Sequence, residues 1–305
     1  LDFTSYSCHT IPAQGKQFPA KFIPFLKDWK ISDFDRYENA QFNSDDVIFV
    51  TYSSSNHFTE ARIAIRELRK TFSNKIVFFD IGLRAEEVAE LKAVCNLEVR
   101  HFNFSSYPEY VRRLKEYRFK PILIAEMFSE AKAYWIIDAS IRFNGATKTL
   151  NEFYDSVKSE EVESFVLRHP ASHSIFAATD SGMFSYLPMD VSSSQSMTML
   201  EANTMFVRQS EFAREVVKWN ALCALTEVCM APPIAQLNCT FAWDRYGTSA
   251  GCHRYDQSSV NIILASLLER DGRHIDRDSG LPFTEIMTIA RDTVMNETLR
   301  IPCPK

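Results

Sequence analysis

Glycine is scarce in this sequence, with 8 residues in 305. Neither G-x-G-x-x-G nor G-x-x-x-x-G-K-[ST] occurs, so a glycine-rich phosphate cradle of the dinucleotide-binding or P-loop kind is excluded. H-E-x-x-H, G-x-S-x-G and C-x-x-C are missing too, which removes the common zinc-protease, serine-hydrolase and thiol-redox signatures. The seven histidines are scattered, and no two share a clear helical face. No run approaches the roughly 20 apolar residues needed to span a bilayer. There is no basic block: 34 Lys and Arg are interleaved with 39 Asp and Glu. A net charge of -5 and a pI near 5.9 therefore argue against nucleic acid as a partner.

What is present is ample apolar mass. With 46% hydrophobic residues the chain can bury a large core, as one big α/β domain or two closely fused ones. Seven cysteines occur, at 8, 95, 223, 229, 239, 252 and 303. The last five intervals include gaps of five, nine and twelve residues between 223 and 252, which do not suit zinc pairs. Disulfides fit better, and Cys8 with Cys303 would tie the termini together, leaving Cys95 as the expected free thiol of an odd set. Three N-x-S/T sequons, at Asn103, Asn238 and Asn296, add to the cysteines in favouring the lumen of the secretory pathway. The sequence opens on Leu1 rather than Met, as expected if a signal peptide or an N-terminal membrane anchor precedes it.

Residues 1–45 show little periodicity and read as an extended lead-in. From 46 onward buried-strand runs alternate with helical patterns: "DVIFVTYSS", "KIVFFDIG", "LEVRHFNF" and "AYWIIDA" as strands, with "FTEARIAIRELRKTF", "RAEEVAELKAV", "PEYVRRLKEY" and "KPILIAEMFSEA" as helices between them. Strand–helix units with strands apolar on both faces specify a parallel sheet covered by helices. After 145 the pattern becomes mixed. "KTLNEFYDSVKSE" reads as a helix, "FVLRHP" and "SIFAATD" as short strands, and "TMLEANTMFVRQ" as a strand. Residues 210–225, with Ser210 as cap, and 252–270 read as helices. No linker is evident.

Four places carry candidate chemistry. Thr51, Ser53, Ser54 and Asn56 follow the first strand, where open α/β sheets place ligands, although a polar turn with Asn56 as helix cap accounts for them as well. Asp138, with Ser140 and Arg142, ends the fourth strand, where a carboxylate suits a divalent ion or a ribose hydroxyl; capping a turn or pairing with Arg142 is the plain alternative. Glu201 is an acid inside a strand pattern, costly unless it is paired or faces a cleft. Asp256 and Gln257 open a helix, and capping accounts for only one of the two.

Together these places resemble a glycosyltransferase of the GT-A, nucleotide-diphosphosugar type, over about residues 46–270. In that family the end of the first strand receives the nucleotide, here "VTYSSSN". A later strand ends in Asp-x-Asp, which holds a divalent metal on the diphosphate, and "WIIDAS" stands at that place. A "DQ...LN" pattern at a helix start, as in glycogenin-like enzymes, matches "YDQSSVNIIL" down to Asn261. The segment "KWNALCAL...CMAPP...C...CHRYDQS" also resembles glycosyltransferase-like proteins of nematodes and other invertebrates. One departure stands out: Asp138-Ala139-Ser140 lacks the second carboxylate.

The resemblance implies a GT-A-like Rossmann-type α/β fold with a mostly parallel sheet flanked by helices and a mixed, disulfide-bearing C-terminal half. Residues 46–305 form one catalytic domain, with 46–145 as the nucleotide-binding half and 146–305 as the acceptor and sugar half. It implies hexosyl-type transfer from a nucleotide-diphosphate sugar, UDP-linked by preference, to a hydroxyl of a glycan or glycoprotein. The setting would be the Golgi lumen or the secreted state, with a membrane reached only through a type II N-terminal anchor. The expected site is Asp256 and Glu201 as catalytic acids or bases, with His253 and Gln257 on the sugar. Thr51, Ser53, Asn56, Arg62, Asp138 and Ser140 hold the nucleotide. Asp138 would be the ligand of Mn²⁺ or Mg²⁺; without a metal, Arg62, Arg142 or His253 would neutralise the diphosphate. The competing reading is a catalytically inactive sugar- or nucleotide-binding protein on the same fold, with the broken Asp-x-Asp as its mark.

Overall fold

The computed structural model describes residues 1–7, 10–143, 147–270 and 287–291. Its centre is a six-stranded sheet, in the order β5-β4-β3-β6-β9-β8. The strands are β3 (Ile48–Ser53), β4 (Ile76–Asp80), β5 (Leu97–His101), β6 (Ala133–Ile137), β8 (Phe165–Ser174) and β9 (Thr198–Arg208). β5, β4, β3 and β6 run parallel; β9 pairs antiparallel with β6, and β8 pairs antiparallel with β9 at the edge. The sheet is thus parallel in the half that carries the strand–helix units and mixed in the C-terminal half, as the sequence pattern implied.

Side chains of one strand alternate between two apolar layers. Phe49, Ile76, Phe78, Trp135 and Ile137 pack beneath α2 (Phe58–Thr71), α3 (Ala85–Lys92) and α5 (Thr147–Lys158). Val50, Tyr52, Val77, Phe79, Tyr134 and Ile136 pack on the other face under α4 (Phe119–Phe128), α7 (Glu211–Leu225) and α9 (Asp256–Arg270). α4 is buried nearly all round, because it is wedged between the sheet and α7. The strands β3, β4 and β6 can be uninterrupted apolar runs for the same reason: both of their faces are covered.

Four readings are revised by tertiary context. The first 45 residues are a structured part of the core, with a hairpin β1–β2 (Thr4–Ser7, Thr10–Gln14) and helix α1 (Ile23–Asp28). Their Phe3, Phe18, Phe22, Leu26, Trp29 and Ile31 are buried in the layer that holds α7 and α9. "FVLRHP" is the first half of one long strand, β8, which runs through Pro170. An edge strand tolerates proline, and the ladder is irregular on both sides of it. "SIFAATD" holds a 3₁₀ turn, Phe176–Ala178, rather than a separate strand, and "PEYVRRLKEY" forms two 3₁₀ turns that end at Tyr117 with φ 52°.

Cys223–Cys229 joins α7 to the short α8 (Glu227–Met230), and Cys239–Cys252 closes the irregular segment before α9. Cys95 is itself disulfide-bonded, against the expectation of a free thiol. It sits not within the α/β core but in a partly exposed turn ahead of edge strand β5, where another segment can reach it. The expected Cys8–Cys303 pair lies outside the described residues, as does Asn296. Asn103 and Asn238 are exposed. Among the described residues no helix is long and apolar enough to cross a membrane.

Candidate active site

Chain order dictates where a ligand can sit. From β3 the chain moves outward through β4 and β5, then returns to place β6 on the other side of β3. At such a switch point the loops leaving the two strands diverge, and a crevice opens at their carboxyl ends. A cavity of about 330 Å³ lies there, and its lining includes Asp138, Ser140, Glu201, Asn203, Asp256 and Gln257.

Asp138 is the residue immediately after β6. Its N–H donates to Asn203 O (2.8 Å) and its carbonyl accepts from Ile141 N–H (3.0 Å), which turns the chain sharply into β7 (Ile141–Phe143). The carboxylate is held from two sides. Tyr52 at the end of β3 donates its phenol to Oδ1. Burial, then the charge of Asp138, keeps that phenol protonated, well above the ordinary tyrosine range. The second partner is Lys120 from the first turn of α4, whose Nζ stands 3.2 Å from the same oxygen.

Lys120 is the centre of the arrangement. Its side chain is 3% exposed, yet Nζ contacts Asp138, Asp256 Oδ2 (3.0 Å) and the carbonyl of Ala202 (3.0 Å). Those three partners match the three N–H donors of an ammonium. Burial disfavours its charge, but Asp138 and then Asp256 outweigh burial and hold the ammonium well above the usual lysine range. Asp256, the first residue of α9, is also buried. Burial lifts its carboxyl above the usual range against the opposing pull of Lys120.

α9 is registered against β9 by Asn261. Its Nδ2 donates to Leu200 O and its Oδ1 accepts from Leu200 N–H, both at 2.8 Å. That reciprocal amide pair fixes Asp256 and Gln257, one turn earlier, beside Glu201, the next residue of β9. Glu201 accepts from Asn203 Nδ2, and His169 Nδ1 on β8 donates to Asn203 Oδ1 (3.1 Å). Half-burial raises the Glu201 carboxyl above its usual range, with His169, Arg291 and Arg254 pulling the other way. An acid in a strand is tolerated here because it faces the cavity.

Five of the expected site residues therefore share one cavity: Asp138, Ser140, Glu201, Asp256 and Gln257. The other five are not among its lining. Thr51 is fully buried within β3, and Ser53 turns its hydroxyl to the carbonyl of Ser54 (2.7 Å). Asn56 is exposed and accepts from the Ser54 hydroxyl, and it does not cap α2. Arg62 pairs with Glu90 at 2.6 Å, tying α2 to α3. His253 is fully buried: Nδ1 accepts from Asp180 N–H (3.1 Å) and Nε2 donates to Met230 O (3.0 Å). It anchors the loop ahead of α9 rather than facing a sugar. Arg142 turns to the carbonyls of Ala139 and Ile141 (2.6 and 3.0 Å), so Asp138 pairs with Lys120 and not with it.

Sequence reasoning missed Lys120, Tyr117, His173, Asn203, Arg254 and Arg291, all of which line the cavity. Only Lys120 left a signal: a lysine inside a helix with no polar face has nowhere to send its charge unless acids are buried beside it. A second cavity, of about 520 Å³, lies further along the same edge between Gly82, His101, Asn103 and Arg112.

A sequence profile of a family described as a protein of unknown function (DUF1647) matches residues 2–125. No curated protein matches the chain in sequence. Among solved structures it is similar to galactosyltransferase LgtC bound to donor and acceptor sugar analogs, at 10% identity and a TM-score of 0.48, covering 81% of this chain and 88% of that one. It is also similar to mouse xyloside xylosyltransferase 1, at 10% identity and 0.41, covering 72% and 82%. A third is core-mannan synthase A of Aspergillus fumigatus in a Mn/GDP form, at 10% identity and 0.40, covering 89% and 84%. At such scores residue roles do not carry from one chain to another.

Proposed function

We propose that this chain is a GT-A-type glycosyltransferase that moves a hexose-like sugar from a nucleotide-diphosphate donor, UDP-linked by preference, to a hydroxyl of a glycan or glycoprotein. The carrying observation is the convergence of Asp138, Glu201, Asp256 and Gln257 on one cavity at the switch point between β3 and β6. That is where an α/β sheet receives a nucleotide. The residues arrive from three separate elements, and the three acids are each held by a dedicated side-chain contact.

Glycosyl transfer builds positive charge on the sugar and negative charge on the departing diphosphate. In this reading the diphosphate lies by Asp138 and Ser140, and the sugar lies against Asp256 and Gln257. Glu201 is the best-placed base for an inverting transfer. It is half-buried, faces the cavity, and has a raised carboxyl that would accept the proton of an acceptor hydroxyl. Asp256, locked to Lys120, is better suited to orient sugar hydroxyls than to move a proton. Disulfides on the C-terminal half support a secretory setting, such as the Golgi lumen.

The test is release of the nucleoside diphosphate from a panel of UDP- and GDP-sugars, with and without simple glycosides as acceptors. Sugar transfer with at least one donor is expected. Binding without any turnover would favour the inactive sugar-binding reading. Neither binding nor turnover across the panel would remove the nucleotide-sugar reading altogether.

A further inference from the structure

The resemblance to metal-dependent transferases predicts a divalent ion on Asp138, and the donor set at Asp138 does not fit one. An ion such as Mg²⁺ in such a place takes one or two carboxylates at about 2.0–2.1 Å together with phosphate oxygens and waters. Here Asp138 and Asp256 are already bridged by the Lys120 ammonium at 3.2 and 3.0 Å. Asp138 Oδ1 also accepts from Tyr52. A divalent cation bound to either carboxylate would stand within a few ångströms of that ammonium. Lys120 cannot turn aside, because it is packed between the rings of Tyr52 and Tyr117 (5.7 and 5.5 Å) and gives its third proton to Ala202 O. Among the described residues no three His, Cys, Asp or Glu side chains form a set able to hold a metal.

The second observation concerns Ser140, which stands where a second carboxylate is usual. Its carbonyl accepts from Ala290 N–H (2.8 Å), because β10 (Met287–Ile289) pairs antiparallel with β7. That docking brings Arg291 to the cavity wall beside the turn carrying Asp138. Arg254, half-buried two residues ahead of Asp256, lines the same wall. Neither guanidinium has a salt bridge or a side-chain hydrogen bond among the described residues. Guanidinium groups match phosphate oxygens bidentately, and a diphosphate offers them the paired oxygens that no carboxylate among the described residues supplies.

We propose that the site binds the diphosphate of its donor without a divalent metal, with Lys120 standing between the acids in the metal's stead and Arg254 and Arg291 contacting the phosphates. This deepens the nucleotide-sugar reading and rests on it. Calorimetric titration with UDP and with GDP, in EDTA and in millimolar Mn²⁺, is the test. The affinity in EDTA should stay within about threefold of that with Mn²⁺, and Arg254→Ala and Arg291→Ala should each weaken it by about tenfold or more. Both arginines lie at the cavity wall away from the core, and circular dichroism checks that the variants fold. Binding that needs Mn²⁺ overturns the proposal and leaves the transferase reading standing. Absence of binding in both buffers overturns both. Unchanged affinity in both arginine variants overturns their assignment. Titrating Mn²⁺ alone into the protein gives an independent readout, with no saturable site expected; a single site lost in Asp138→Asn overturns the proposal directly.

Discussion

His253 offers a prediction that depends on its being structural. The ring is fully buried, edge-on to Tyr255, and both nitrogens are engaged. Burial first, and Arg118 in addition, lower its pKa from 6.5 to about 4, against the opposing pull of the Met230 carbonyl and Asp180. The folded protein therefore refuses a proton that the unfolded chain accepts. This stability is fully present above 6.5 and is lost as pH falls from 6.5 towards 4. At about 1.4 kcal/mol per pH unit, the loss attributable to this one group is about 3 kcal/mol. Urea unfolding followed by tryptophan fluorescence, at several pH values from 7 to 4, measures it against His253→Gln. Glutamine keeps a donor and an acceptor but does not titrate, so the variant starts about 1–3 kcal/mol lower at pH 7 and falls less steeply. His173, whose pKa is also lowered chiefly by burial, and carboxylates such as Glu98, held at about 2 mainly by Arg100, contribute equally to both proteins and cancel. Parallel pH profiles for the two would refute the buried, neutral assignment. A His253 that bound sugar would instead move ligand affinity and leave the pH slope intact.

Three further predictions concern the site and its frame. Lys120→Met should cost about 3–5 kcal/mol at pH 7, since Asp138 and Asp256 would face each other with no cation between them. The deficit should shrink as pH falls and Asp256, whose carboxyl is already raised by burial, takes up a proton; a deficit independent of pH between 7 and 4.5 would count against the ion-pair account. Glu201→Gln should lower transfer by about 10²–10⁴-fold with donor affinity little changed. In the wild type, activity should fall as pH drops through a midpoint above the ordinary glutamate value, because the base must be ionised. Full activity in the variant would take Glu201 out of the chemistry. Replacing both Cys239 and Cys252 by serine should lower stability by about 3 kcal/mol through the freed loop. It should also weaken ligand binding, since that loop ends at Arg254 and Asp256, and thermal melting with calorimetry would show whether the two losses go together.

The parts of the fold legible in the sequence are those whose burial is uniform. β3, β4 and β6 are covered on both faces, so they appear as unbroken apolar runs, and α2 and α9 have faces that repeat with helical period. The N-terminal 45 residues were illegible because they contribute separate aromatic anchors, Phe3, Phe18, Phe22 and Trp29, to a layer built by distant helices. Such anchors have no period. In the site, acids ending strands or opening helices were conspicuous, so Asp138, Glu201 and Asp256, with Gln257 beside it, were singled out, and the structure places all four on one cavity wall. Their cations were not singled out, because Lys120, Arg254 and Arg291 come from three places in the chain and acquire meaning only when packed together. His253 was misread for a related reason: it lies three residues from Asp256, but proximity in sequence does not tell which way a loop residue points. Asn261 matched a motif in the sequence, and in the structure its side chain is engaged with the backbone of Leu200.

The pairing of β10 with β7 has a consequence for the order in which the protein becomes competent. Synthesis runs from the N-terminus, and domains gain structure as their segments emerge. The sheet, the buried lysine and both acids precede residue 270, whereas Arg291 arrives after them all. A nascent chain halted between these points would own a folded, acid-rich crevice short of one cation, able to take its shape but poorly suited to grip an anion. Competence would then be conferred late, by a three-residue strand adding itself to the edge of another made long before.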